Sequence, residues 1–176
     1  MHEDSRNVID HFKYWKTDAI RAALDTVRLP FVVLCENFDK DFNISTVIRC
    51  VNAFTGKEVW VCGRRKWDKR GAVGTNHYEH IKYADTTTEV VNAYREQGYT
   101  IVAMDMVDNA ENIHEFQWPE KTLMIFGQEQ IGISDEAIEL ADHIVYIPQY
   151  GSTRSLNVGV AAGIAMFSYV SQIKEK

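Results

Sequence analysis

Three short stretches concentrate the residue types that handle phosphorylated or nucleoside ligands, and each follows an apolar run. In Asn43-Ile-Ser-Thr-Val-Ile-Arg49, helical spacing places Ser45, Arg49 and Asn52 at i, i+4 and i+7, a polar stripe opposite the apolar one. An arginine so placed suits bidentate contact with a phosphate; the plainer alternative is that Asn43 caps the helix and Arg49 is solvated. In Phe126-Gly-Gln-Glu-Gln-Ile-Gly132-Ile-Ser134, glycines on both sides of Glu129 allow a tight turn and close approach of backbone to a ligand. Free amides and a carboxylate at a strand end fit a nucleoside with its ribose hydroxyls; the alternative is an ordinary strand-to-helix turn with Ser134 as cap. In Ile147-Pro-Gln-Tyr-Gly151-Ser-Thr-Arg-Ser155-Leu-Asn157-Val, a hydroxyl-rich loop joins a strand end to a helix start. Such a start presents unpaired amides to an anion or a polar ligand. Asn157, in the first turn, needs polar partners, or it simply ties down the loop before it.

These stretches need a frame that brings them together, and the periodicity supplies one. Phe31–Cys35, Val59–Cys62, His80–Tyr83, Thr100–Met104, Thr122–Phe126 and His143–Ile147 read as short strands. Between them, 43–54 carries Ile44, Val47, Ile48, Val51 and Phe54 on one helical face, and 88–97 is a helix that Gly98 closes. Ser134 caps a short helix with Asp135 and Glu136 at its positive end. The last helix, 155–173, is apolar nearly all round, which suits a core shared with a second subunit. Strands alternating with helices imply an α/β domain with a mostly parallel sheet covered on both faces. Ligands of such sheets sit beyond the carboxyl ends of the strands, where the loops after Cys35, Phe126 and Ile147 lie. The first ~25 residues read as an added amphipathic helix with Ile9, Phe12, Ile20 and Leu24 as its apolar side, so the chain divides into a helical extension, 1–28, and a main domain, 29–176.

Bulk properties narrow the classes. The 176 residues are 45% hydrophobic and 25% charged, ordinary globular composition. The longest apolar stretch, Leu156–Val170, is shorter than the ~20 residues of a membrane span, and the polar N-terminus carries no secretory pattern. Cys35, Cys50 and Cys62 are widely separated in apolar surroundings and read as free thiols of a reducing, cytoplasmic compartment. The net charge of −6 excludes coating of nucleic acid by bulk electrostatics and leaves room for a local basic patch. No G-x-G-x-x-G follows a strand, which disfavours a nucleotide-dependent oxidoreductase. The six histidines fall in no nucleophile-elbow or zinc-ligand pattern.

Taken together, in this order and spacing, the three stretches resemble the signature motifs of the TrmH/SpoU family of SPOUT methyltransferases. Asn43 to Arg49 is similar to the first, Phe126 to Ser134 to the second, and Ile147-Pro148 through Ser155-Leu-Asn157-Val158 to the third. The resemblance spans residues 31–172; Ser45 stands where many members have glycine. It implies an α/β knot, with a C-terminal trefoil that periodicity cannot reveal, and a homodimer with its active site near the subunit boundary. It further implies transfer of a methyl group from S-adenosylmethionine to a ribose 2′-hydroxyl of tRNA or rRNA, with no metal. Cofactor contacts would come from Gly127, Gln128, Glu129, Gly132, Ile147, Gln149, Gly151, Ser155 and Leu156. Arg49 matches the family's catalytic arginine. Because a guanidinium is a poor base, Arg49 is expected to clamp the adjacent phosphate and stabilise oxyanion charge, with Asn43, Glu129, Ser155 and Asn157 orienting it, the cofactor and the ribose.

The segment 63–70 carries five positive charges against one negative, with Trp67 among them. An aromatic beside basic side chains suits stacking of unpaired bases while phosphates are neutralised. Arg64, Arg65, Lys66, Trp67, Lys69 and Arg70, together with Arg154, are therefore the expected RNA contacts; the plainer reading is a solvated loop with Trp67 packed on its own domain. The different-class alternative is a catalytically silent, knotted RNA-binding dimer.

Overall fold

The computed structural model describes residues 4–37, 43–128, 131–152 and 155–174. Seven strands form one sheet: β1 (Leu29–Asn37), β2 (Gly56–Gly63), β3 (Ile81–Ala84), β4 (Thr100–Met104), β5 (Glu111–Asn112), β6 (Thr122–Phe126) and β7 (His143–Tyr146). Their order is β3-β2-β1-β6-β4-β7-β5, and every pairing is parallel. All carboxyl ends therefore share one edge.

Alternation along each strand feeds two cores. Phe31, Val33 and Cys35 of β1 join Met124 and Phe126 of β6 beneath α2 (Ile44–Ala53) and α5 (Val158–Lys174). Val32, Leu34, Leu123 and Ile125 point the other way, toward α3 (Thr87–Arg95) and α4 (Asp135–Leu140). A strand buried on both faces needs an apolar side chain at almost every position, and β6, Thr-Leu-Met-Ile-Phe, has one at four of five.

Helix ends follow local chemistry. Thr86 accepts from the Glu89 amide to cap α3, and the helix closes at Gly98 (φ 78°) with Gly98 N–H on Arg95 O and Tyr99 N–H on Tyr94 O. Ser134 caps α4 as expected, accepting from the Ala137 amide. α5 begins at Val158, later than the apolar pattern implied. Asn157 lies just before the helix, and its Oδ1 accepts from the amides of Gly159 and Val160.

The N-terminal segment departs from one continuous helix. A 3-10 turn at Asp10–Phe12 and α1 (Thr17–Asp25) are separated at Tyr14, whose φ is 65°. Of the four expected apolar contacts only Ile20 is fully buried, while Ile9 is exposed. The segment is tied down by polar bonds instead: Arg28 pairs with Asp25 and with the fully buried Glu79, and His80 meets Asp25 at 2.8 Å. The polar loop after β2 forms 3-10 turns at Lys69–Ala72 and Thr75–His77 and buries Ala72, Thr75 and Tyr78.

Candidate active site

A cavity opens beyond the carboxyl ends of β4, β6 and β7. Its walls are Met104 at the end of β4 and Asp105 after it, Gly127, Gln128 and Gly132 after β6, Ile147 and Gln149 after β7, and Ser155 and Leu156 before α5. The second and third motif stretches thus face each other across one pocket.

The first wall is a backbone turn held by three constraints. Gln128 and Gly132 exchange backbone hydrogen bonds at 2.9 and 2.8 Å. A Cβ on Gly127 would lie 2.1 Å from the Gly132 carbonyl, and one on Gly132 (φ 79°) would lie 2.4 Å from Asp105 Oδ2. Both positions therefore demand glycine, which leaves bare peptide groups along the pocket. Asp105 Oδ2 accepts from the Ile133 amide at 3.0 Å, anchoring the end of the turn. A second carboxylate holds the far side: buried Glu36 accepts from the Ser134 amide and hydroxyl at 2.8 and 2.6 Å and from Thr87 Oγ1 at 2.7 Å. The sequence reading missed both acids. For Glu36 the available signal was a carboxylate directly continuing a strand that is otherwise apolar.

On the opposite wall, Gln149 Oε1 is buried and accepts from no described residue. A buried acceptor without a donor is rare in proteins and marks a place for a ligand's N–H or O–H. Gly151 lies outside the cavity lining, and the space around its Cβ position is open, so nothing in its surroundings demands glycine. Glu129 and Arg154 lie outside the described residues.

The first motif meets the third through side chains. Asn157 Nδ2 donates to Asn43 Oδ1 at 2.8 Å, while Asn157 Oδ1 caps α5. Asn43 makes no side-chain cap on its own helix, which corrects the capping alternative. The polar stripe of α2 is divided in use. Ser45 Oγ donates to the Asp68 carbonyl, and Asn52 donates to Glu79 at 2.6 Å, so both hold the 64–79 loop against α2. Only Arg49 stays exposed.

Arg49 does not line this cavity. It sits in a groove between α2 and α5 with Thr46, Cys50, Phe54, Val160, Ile164 and Phe167. Within one chain the expected meeting of Arg49 with the loops after β6 and β7 does not occur among the described residues, because α2 carries Arg49 outward on the face it shares with α5. That face is open: Val160, Ile164 and Phe167 are 50%, 37% and 62% exposed. Gly159 and Gly163 let the two helices approach closely, their Cβ positions falling 2.8 Å from Thr46 Cγ2 and 3.4 Å from Cys50 Sγ.

The basic loop divides likewise. Trp67 is half-buried against the main core; its Nε1 donates to Tyr83 Oη at 3.3 Å, and Lys69 Nζ lies 5.9 Å from its ring centroid. Packing on its own domain is therefore the use the fold makes of Trp67, in place of an open stacking platform. Arg70 forks onto Asp68, a hydrogen bond that holds the carboxyl down at about 2. Arg65 meets Asp85 only at 3.4 Å, and Arg64 and Lys66 are exposed. Among the described residues no group of acids, histidines or cysteines could hold a metal ion, and no helix is long and apolar enough to cross a membrane.

A parallel α/β sheet with its pocket at the carboxyl edge, lined by a glycine-held turn after β6 and the loop after β7 and backed by an asparagine pair, is a fold of the SPOUT type. The sequence matches the model of the SpoU rRNA Methylase family over residues 30–167, and the chain belongs to that family. It is 33% identical over 144 residues to the tRNA (guanosine(18)-2′-O)-methyltransferase of Escherichia coli K12, a match covering 80% of this chain and 63% of that protein. The chain thus spans less than two thirds of that relative's length. Among solved structures, the Aquifex aeolicus TrmH/SpoU tRNA modifying enzyme superposes with a TM-score of 0.80 at 25% identity, covering 90% of this chain and 83% of that one. The SpoU methyltransferase AviRb of Streptomyces viridochromogenes, solved in complex with the cofactor AdoMet, gives 0.73 at 27% identity, covering 86% and 61%.

Proposed function

We propose that this chain is an S-adenosylmethionine-dependent RNA 2′-O-ribose methyltransferase that acts on tRNA as a homodimer. The observation that carries the proposal is the pocket beyond β4, β6 and β7, where segments some twenty residues apart in sequence turn bare backbone and Gln149 Oε1, which accepts from no described residue, toward one space. The residues suit the cofactor: glycine-held peptide groups fit an adenosine, and Ile147, Leu156 and Val158 supply apolar contact. Bound there, the sulfonium supplies a methyl group on an already good leaving group. Gly127, Gln128, Gly132, Ile147, Gln149, Ser155 and Leu156 are assigned to hold it, with Glu129 assigned by motif alone.

Arg49 is assigned to the RNA. A second copy covering the α2/α5 face would remove Val160, Ile164 and Phe167 from water and carry Arg49 to the mouth of the neighbouring pocket. There the guanidinium would hold the phosphate beside the target ribose and stabilise the developing oxyanion. Asn43 and Asn157 position that face by locking the start of α2 to the start of α5. Arg64, Arg65 and Lys66 would track the RNA backbone in this reading. Residues 1–28 are read as an extension outside the methyltransferase domain, and family membership supports the C-terminal knot and a cytoplasmic setting.

Incubation with tritiated S-adenosylmethionine and unmodified bulk tRNA, followed by digestion to nucleosides, tests this. Label in 2′-O-methylated nucleosides is expected. Label confined to bases would overturn the ribose assignment, and RNA binding without label would favour the silent dimer.

A further inference from the structure

Asp105 occupies the first position beyond β4, between the ends of β6 and β7, and it is the one charged side chain among the described residues lining the cavity at the carboxyl ends of these strands. Its oxygens each take one backbone amide: Oδ1 accepts from Met106 at 2.7 Å and Oδ2 from Ile133 at 3.0 Å. An ionised carboxylate offers about four lone-pair sites, so two amide donors leave it unsaturated. Nothing in the packing requires a charge there. One neutral oxygen would serve the turn, and the rest of the lining is apolar or backbone apart from Gln128, Gln149, Tyr146 and Ser155.

Two further features make this a built site. Gly132 is stripped to hydrogen where it faces Asp105, since any Cβ would fall 2.4 Å from Oδ2, so the carboxylate and the bare turn are fitted to each other. Both amide bonds also fix the carboxylate plane, giving it a set direction without the entropy cost of a free side chain. A carboxylate fixed at a strand end of a parallel sheet is chemically matched to a vicinal diol, whose two O–H donors are spaced to meet its two oxygens.

We infer that Asp105 is a cofactor-binding residue that accepts hydrogen bonds from the ribose hydroxyls of the nucleoside held in the pocket lined by Gly127, Gly132, Ile147, Gln149 and Leu156. The inference rests on the cofactor reading above and adds to it a side-chain contact outside the three motifs. It also separates the diol from the sulfonium as the group recognised: the diol is common to S-adenosylmethionine and its neutral thioether product, whereas attraction for the sulfonium would favour the former alone.

The test is calorimetric titration of wild type, Asp105→Asn and Asp105→Ser with S-adenosylmethionine, S-adenosylhomocysteine and S-adenosylhomocysteine analogues lacking the 2′- or the 3′-hydroxyl. Wild type is expected to lose about tenfold or more in affinity for at least one deoxy analogue, the order of one charge-assisted hydrogen bond. Asp105→Asn should weaken both parent ligands by a similar factor and no longer distinguish the deoxy analogue. Asp105→Ser, which removes the carboxylate altogether, should behave alike if Asp105→Asn fails to fold. Wild type indifferent to both missing hydroxyls overturns the inference without any variant. A loss confined to S-adenosylmethionine overturns it in favour of sulfonium recognition. Wild type binding neither parent ligand removes the cofactor reading and this assignment together, whereas tight wild-type binding with unchanged variants removes this assignment alone.

Discussion

The link between Asn43 and Asn157 joins two motifs 114 residues apart, and its strength can be worked out from the structure. Replacing Asn157 with alanine removes two things. The α5 cap, which accepts from Gly159 and Val160, contributes about 1 kcal/mol. The donor to Asn43 Oδ1 also goes, and losing a hydrogen bond to this buried side chain costs roughly another 1–2 kcal/mol. Asn157→Ala should therefore destabilise by about 2–3 kcal/mol, a fall in Tm of roughly 6–9 °C for a chain of this length. Asn43→Ala costs less, about 1–1.5 kcal/mol, because Asn43 caps nothing and Asn157 is exposed enough to find water. The two losses share one bond, so the double variant should fall short of the sum by about 1 kcal/mol. Urea unfolding of the four proteins at fixed protein concentration measures that coupling. Additivity within about 0.3 kcal/mol would mean the bond contributes nothing, and the account of how α2 and α5 are locked would be wrong.

Other outcomes follow from the same geometry. Gly127→Ala, with its new Cβ 2.1 Å from the Gly132 backbone, should open the turn and abolish detectable binding of S-adenosylmethionine by calorimetry while the far-ultraviolet spectrum stays native. Arg64→Ala and Lys66→Ala should each flatten the salt dependence of tRNA affinity by about one unit of slope. Arg70→Ala should do less, because Asp68 already neutralises that guanidinium. Burial pushes the Cys62 thiol up to about 11 from an ordinary 9.0. The unfolded chain therefore sheds this proton first as pH rises, and stability should fall between about pH 9 and 11; Cys62→Ala should remove part of that fall in pH-dependent urea titrations. A native Cys62 should also resist thiol reagents at pH 8.

Much of the frame was legible because buried parallel strands announce themselves. Thr100–Met104 and Thr122–Phe126 have their expected bounds; β1 and β2 run one to three residues further at each end, where they pair with each other, while β3 is shifted by one residue and β7 stops one residue short. β5 has two residues and no pattern to read. The break at Tyr14 depends on a left-handed backbone angle in a residue type that does not advertise it. Gly127 and Gly132 were legible, since glycine where a Cβ cannot fit is a sequence signal with a steric cause. The split of the α2 stripe was hidden, because helical period says which residues share a face and says nothing of a distant loop that folds over Ser45 and Asn52. Arg49 was placed on its helix correctly, but its neighbours depend on a surface that a single chain leaves uncovered. Asp105 was hidden for a related reason: an acid after a strand resembles any polar loop residue until the opposing turn is in place.

The central claim is that the pocket holds the methyl donor while Arg49 serves the RNA. Its most direct test is to measure, for wild type and Arg49→Ala side by side, the Kd for S-adenosylmethionine and the single-turnover rate of methyl transfer to tRNA. The account predicts an unchanged Kd with the rate down by a factor of about a hundred or more, the scale of losing one preorganised charge at the reacting oxygen. A variant that transfers methyl groups at near wild-type rate, or one that loses the cofactor along with the rate, would contradict it.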